Sequence, residues 1–255
     1  MGGSGFGEEH CWRHAPELYD AVHFHEDDAG DADWHTSFTV PTEGLETGVY
    51  AVKLQQSNRW IDWVPFFVRP PTPQAPVAFL VPTASCTRSS SLLMHQLFSE
   101  SKGCCADLAY SDNVLGSAAE AESATGGSRM GGMGATFAFL HQHPEYGLSN
   151  YDFHKDGSGV AYSSALRPQL MMRPGEGLWQ FPADSHIVSF MHQAGIAHDI
   201  ITDEHLHREG VAALAPYKCI VSGTHPEYYS SAMLLGLREF TRTGGRLLYT
   251  GANGY

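Results

Sequence analysis

The chain has 255 residues, 42% of them hydrophobic, and a formal charge of -13 from Lys+Arg 15 against Asp+Glu 28. That length buries a real core in one or two domains, and the acidic excess repels phosphate backbones and anionic lipid surfaces, which argues against nucleic acid or a membrane as partner. The sequence has no apolar run of about 18 residues, and its first residues, Met1 to Gly7, lack the basic start and apolar stretch of a signal peptide, so the expected compartment is the cytoplasm.

The chain opens with β-type patterning. Ala21–His25, Phe38–Pro41, Val49–Leu54 and Asp62–Val68 are short runs, mostly alternating and bounded by Gly, Pro and Asp, and they predict strands of a partial β-sandwich spanning residues 1–69. Arg69–Pro76 is proline-rich and cannot pair in a sheet, so residues 70–76 are expected to be a stiff linker. From residue 77 to 255 strands and helices alternate, which predicts an α/β domain.

Val77–Val81 is continuously apolar, as a parallel strand buried on both faces must be. Asp184 is the expected N-cap of a helix carrying Ile187, Val188, Phe190 and Met191 and ending near Gly195. Strand Ala197–Ile201, helix Glu204–Leu214, strand Lys218–Ser222, helix Ser230–Thr241 and strand Arg246–Thr250 follow. The crossover rule makes these strands parallel in one sheet with 77–81. Residues 86–141 do not fit, being rich in Ser, Gly, Ala, Met and Cys with scattered periodicity; a loosely packed insertion or a stretch read in a shifted frame is expected there.

The cysteines Cys11, Cys86, Cys104, Cys105 and Cys219 are odd in number and without CxxC spacing, so they indicate neither a disulfide framework nor a zinc knuckle. Fifteen histidines are compatible with metal binding or with a titrating surface. In open α/β sheets ligands bind beyond the carboxyl ends of the strands, which directs attention to Thr202–Glu209 and Gly223–Tyr229. His225 and Glu227, beside Pro226, can supply a base and a hard-cation ligand; equally, Glu227 can simply favour a helix N-terminus. The acidic start of the first loop is also what a surface helix shows. Tyr146–His154, followed by the tight turn Asp156–Gly159, is a third candidate, since phenolates suit a ferric ion.

The strings Tyr146–Asp152, Asp156–Ser164, Leu166–Pro168, Trp179–Asp184 and Ser222–Ser230 together resemble those of the N,N-dimethylformamidase large (beta) subunit family, with residues 19–85 and 143–255 carrying the similarity. The resemblance implies a lectin-like or immunoglobulin-like β region joined to a glutamine-amidotransferase-like α/β domain, and a mononuclear ferric iron held by two tyrosines and a glutamate. By motif position the glutamate is Glu227, with His225 behind it, and one tyrosine is Tyr151 or Tyr146. It further implies hydrolysis of a small N-substituted amide to amine and carboxylic acid, and it allows a small partner subunit and a homo-oligomer. Where the family's other tyrosine belongs, after the strand 77–81, this chain has Ser85-Cys86-Thr87-Arg88, with Tyr110 only a remote substitute. The chain is therefore expected to be an impaired, incomplete piece with little or no iron and no amidase activity. The alternatives are a carbohydrate-binding or scaffold protein, and a glutamine-amidotransferase-like thiol enzyme, although the elbow position after Ser222-Gly223 offers Thr224 where that chemistry needs Cys.

Overall fold

The computed structural model describes residues 35–56, 59–88, 166, 172, 180–251 and 254. The expected strand Ala21–His25, Tyr146, Tyr151 and nearly all of the segment 86–141 lie outside the described residues. The chain divides into two compact units, and the elements below belong to the one formed by Thr36–Thr87 and Gln169–Tyr255.

The β patterning yields an antiparallel hairpin of β1 (Gly48–Gln56) and β2 (Arg59–Val68), in register from Gly48 opposite Val68 to Gln56 opposite Arg59, with a slip between Leu54 and Gln55. Cross-strand pairs fix this register. Tyr50 stacks on its partner Phe66 with ring centroids 5.6 Å apart, and Lys53 Nζ lies 5.6 Å from the ring of its partner Trp63. Phe38–Pro41, expected as a strand, has no regular structure. The run is too short to pair without a neighbour, and Phe38 stays 56% exposed.

The α/β expectation holds for the sheet. Its strands are β3 (Val77–Val81), β4 (His198–Thr202), β5 (Cys219–Ser222) and β6 (Arg246–Leu248), ordered β4-β3-β5-β6 with every pair parallel. Burial explains the uninterrupted apolar run of β3, because both faces are covered. Ala78 and Leu80 pack on one side with Ile201, Ile220, Leu206, Leu237 and Phe240. Phe79 and Val81 pack on the other with Ile200, Val221, Phe181 and Met191, against which Phe67 of β2 also rests.

Helix α1 (Thr83–Arg88) follows β3, and α2 (Phe181–Gln193) precedes β4. Asp184 is not the N-cap of α2. Gln180, with φ of 51°, holds that place, four residues earlier, because Pro182 is suited to the first turn of the helix. The expected helix Glu204–Leu214 breaks at Gly210, φ 58°, into α3 (Asp203–Glu209) and a 3₁₀ turn (Gly210–Ala213). Helix α4 (Ser231–Arg242) is capped by Ser230, whose Oγ accepts the amide of Met233 at 3.3 Å. Strand β6 stops at Leu248 rather than Thr250 because Thr250 turns to β5, its amide donating to Ser222 Oγ at 3.0 Å and its hydroxyl to the Ser222 carbonyl at 2.6 Å.

The edge strand β4 presents amides that would otherwise seek another strand. Side chains cover two of them: Ile200 donates to Thr47 Oγ1 at 2.9 Å and Thr202 to His205 Nδ1 at 3.1 Å. Among the described residues no helix is long and apolar enough to cross a membrane.

Candidate functional site

The chain reaches β3 first, then β4 on one side of it and β5 on the other. This reversal of strand order opens a crevice at the carboxyl ends, because successive loops leave in opposite directions there. Three segments meet at that end: 82–88 after β3, 203–209 after β4, and 223–230 after β5.

Their convergence is held by buried polar contacts. Asp184, in the first turn of α2 and 0% exposed, accepts two hydrogen bonds on Oδ1, from the Thr224 amide at 2.6 Å and the Thr224 hydroxyl at 2.8 Å. Asp203, 2% exposed, accepts the Ala84 amide at 3.0 Å. Thr83 donates its hydroxyl to Glu204 at 2.7 Å, and Ser85 Oγ accepts the Tyr228 amide at 3.0 Å. Each link joins segments that are remote in sequence, so the crevice wall is a product of tertiary structure.

His225 and Glu227 stand half-buried on the loop beyond β5, where their place in the sequence predicts them. Burial lowers the His225 pKa, and the neighbouring Glu227 charge pulls the other way without winning. The imidazole is thus neutral at pH 7, able to accept a proton. Burial also raises Asp184 to about 6 against the pull of the Thr224 bonds, and it drives Asp203 well above the usual carboxylate range despite the bond from Ala84. Cys86, 0% exposed, has its thiol pushed well up by burial and by the Asp184 and Asp203 charges, which makes it a poor nucleophile.

The loop from Thr202 to Glu209 is not merely a surface helix start, since Asp203 is buried in the wall. Tyr146 and Tyr151 lie outside the described residues, so their relation to Glu227 is not part of this geometry. Sequence reasoning missed Asp184, Asp203 and Ser85 as wall residues. Asp184 carried the signal of an acid near a helix start, which suggested capping, and Asp203 lay within the loop Thr202–Glu209 already singled out, but nothing local marked either as buried, and Ser85 carried no signal.

Among the described residues no group of three or more His, Cys, Asp or Glu side chains is placed to hold a metal ion. Glu227 is a hard oxygen donor, but the donor set near it needs further anionic oxygens before it fits a ferric ion. A separate open cleft of about 810 Å³ lies at the amino end of β4, lined by Thr47, Tyr50, Ser189, His192 and His198 among others. It shares no residue with the carboxyl-end loops. The loops are the better candidate, because buried carboxylates and a depressed imidazole converge there, whereas His192 and His198 belong to an open groove.

Comparison with known proteins agrees with the residue strings. The profile of the family described as N,N-dimethylformamidase beta subunit-like, C-terminal, matches residues 1–255, running through the segment 86–141. The N,N-dimethylformamidase beta subunit of Alcaligenes sp is 34% identical over 258 residues, covering 97% of this chain and 31% of that protein. That of Paracoccus aminophilus is 34% identical over 256 residues, with the same coverage of 97% and 31%. The chain thus spans about a third of the length of these curated relatives. With the profile matched from end to end and two relatives alike over nearly all of the chain, it belongs to the N,N-dimethylformamidase beta subunit-like, C-terminal family.

Proposed function

We propose that the crevice beyond β5 serves the hydrolysis of a small N-substituted amide, such as N,N-dimethylformamide, to an amine and a carboxylic acid. The observation that carries this reading is the placement of His225 and Glu227 together on the loop at the point where strand order reverses, in a chain of this family. Glu227 would supply an anionic oxygen ligand to a mononuclear ferric iron, and the phenolate of Tyr151 or Tyr146 is the other ligand that the resemblance implies. When bound, the iron supplies Lewis acidity to the amide carbonyl or to water. His225 orients the Glu227 carboxylate, as a group behind a metal ligand does, and a carboxylate close by takes the proton from water. On this reading the parallel sheet is part of a glutamine-amidotransferase-like domain and the hairpin part of a partial β-sandwich. A small partner subunit joins the chain, and the location is cytoplasmic.

The position after β3 supports the further reading that this chain is impaired. Helix α1 fills it with Ser85, bonded to Tyr228, and with the buried Cys86, so no phenolate arises there. A thiol mechanism is disfavoured by the raised Cys86 pKa and by Thr224 at the elbow. The test is amine release from N,N-dimethylformamide by the purified full chain supplied with excess ferric ion. As purified the chain is expected to release no amine above buffer. With excess ferric ion filling the weakened site, slow turnover lost in Glu227→Gln is expected, and turnover that survives the substitution, or none with added iron in either protein, ends the amidase reading.

A further inference from the structure

Glu227 and His225 are only as well placed as the loop that carries them, and that loop has no regular structure between Ser222 and Ser231. Its first residue after Gly223 is nevertheless held from two sides of one residue. Thr224 gives both its backbone amide and its hydroxyl to the same oxygen, Oδ1 of Asp184, at 2.6 and 2.8 Å. Asp184 comes from α2, 40 residues earlier, and is 0% exposed. Its other oxygen, Oδ2, is buried and accepts no hydrogen bond among the described residues. A buried carboxylate that spends one oxygen on a single residue and leaves the other unsatisfied is costly for stability alone. The backbone beside the clamp is equally constrained: a Cβ on Gly223 would stand 2.5 Å from Pro82 Cδ and 2.9 Å from Asp184 Oδ1.

We propose that Asp184 is a positioning residue for the loop 224–228, its carboxylate fixing Thr224 and through it the stations of His225 and Glu227 beyond β5. It touches neither the expected metal nor the substrate. The assignment of a metal role to Glu227 rests on the function proposed above, whereas the clamp itself does not. Ser85 holds the far end of the same stretch by accepting the Tyr228 amide at 3.0 Å, so the loop is pinned at both ends and Asp184 governs the end nearest the strand.

Two substitutions in the full chain separate positioning from bulk stability. Asp184→Asn keeps an acceptor oxygen for both Thr224 donors, and Asp184→Ala removes it. Amide hydrogen exchange is followed at Thr224, His225, Glu227 and Tyr228, Pro226 having no amide hydrogen, and, as an internal reference, in β3 and β5, and retention of added ferric ion is measured beside Glu227→Gln. Asp184→Ala should speed exchange in the loop at least about tenfold while the two strands change little, the loss expected for one broken protecting bond. Asp184→Asn should stay within about threefold of the unaltered chain, since amide and carboxylate oxygens both accept. Iron retention should weaken on the order of 10- to 100-fold in the Ala variant, as for other supports behind a ligand. Unchanged loop exchange in Asp184→Ala, or equal loosening by Asn and Ala, overturns the positioning role. If the loop loosens as expected while iron retention ignores both Asp184 and Glu227, the clamp stands and the metal reading fails.

Discussion

At Gly223 a methyl group has nowhere to go. It would meet Pro82 Cδ at 2.5 Å and Pro82 Cγ at 2.7 Å, carbons of a ring that cannot swing aside. Gly223→Ala therefore overpacks the junction of β3 and β5, and a loss of about 1–3 kcal/mol is expected from strain of this kind. A denaturant titration checks it; a midpoint unchanged from the unaltered chain would show that the loop yields freely. Asp184 beside it sets a pH dependence whose sign follows from its pKa. Folded, it titrates near 6 because it is buried, against an ordinary value of 3.8. The folded state thus takes up a proton before the unfolded state does, so the penalty for burying the charge is full above pH 6 and fades as pH falls toward 4. Asp184→Asn carries no such penalty, and its stability relative to the unaltered chain should fall by roughly 3 kcal/mol at most between pH 7 and pH 4. Asp203 and Cys86 share this pocket and carry over into both proteins, so subtraction leaves mainly Asp184. A difference that stays flat across that range would mean that Asp184 is solvated or already neutral.

Among the elements, those whose partners are near in sequence or whose burial is complete were legible from residues alone. Val49–Leu54 and Asp62–Val68 are rich in β-branched and aromatic residues that suit a pleated hairpin, and Val77–Val81 is uniformly apolar because neither of its faces meets water. Phe38–Pro41 has strand-forming residues but no partner to pair with among the described residues, which composition cannot reveal. The candidate site was legible in part for a related reason. Pro226 between an imidazole and a carboxylate after a buried strand marks His225 and Glu227, whereas Asp184 acquires its role from Thr224, 40 residues on, and Ser85 from Tyr228, 143 residues on. The hairpin's attachment is likewise tertiary. Phe67 of β2 meets Phe181 of α2 edge to face with centroids 5.3 Å apart, and Phe181 is 1% exposed. Phe181→Ala should cost about 3–5 kcal/mol. A double-mutant cycle with Phe67→Ala should show coupling of about 0.5–1.5 kcal/mol. Additivity of the two losses would mean that α2 packs on the sheet without help from the hairpin.

For the whole molecule the question is whether the fold depends on the iron that the proposed function invokes. The described sheet is built without one, since its two core clusters are aliphatic and aromatic side chains with a buried thiol and no metal-ligating cluster. A zinc-finger-like dependence of folding on metal is therefore not expected. Iron is instead a matter of donor count. A trivalent ion needs anionic oxygens to offset its charge, and the place after β3 where the resemblance expects a tyrosine is occupied by Ser85 and Cys86, one bonded to Tyr228 and the other fully buried. The purified full chain should consequently hold well under one iron per molecule when none is added, while melting at the same temperature with and without a chelator. Metal analysis of the unaltered chain beside Glu227→Gln decides the matter. Stoichiometric iron that disappears on that substitution would show a complete site with Glu227 in it, and the reading of a missing phenolate would be wrong. A melting point that falls on chelation would show that bound metal stabilises the folded chain, and the expectation of a metal-independent fold would be wrong.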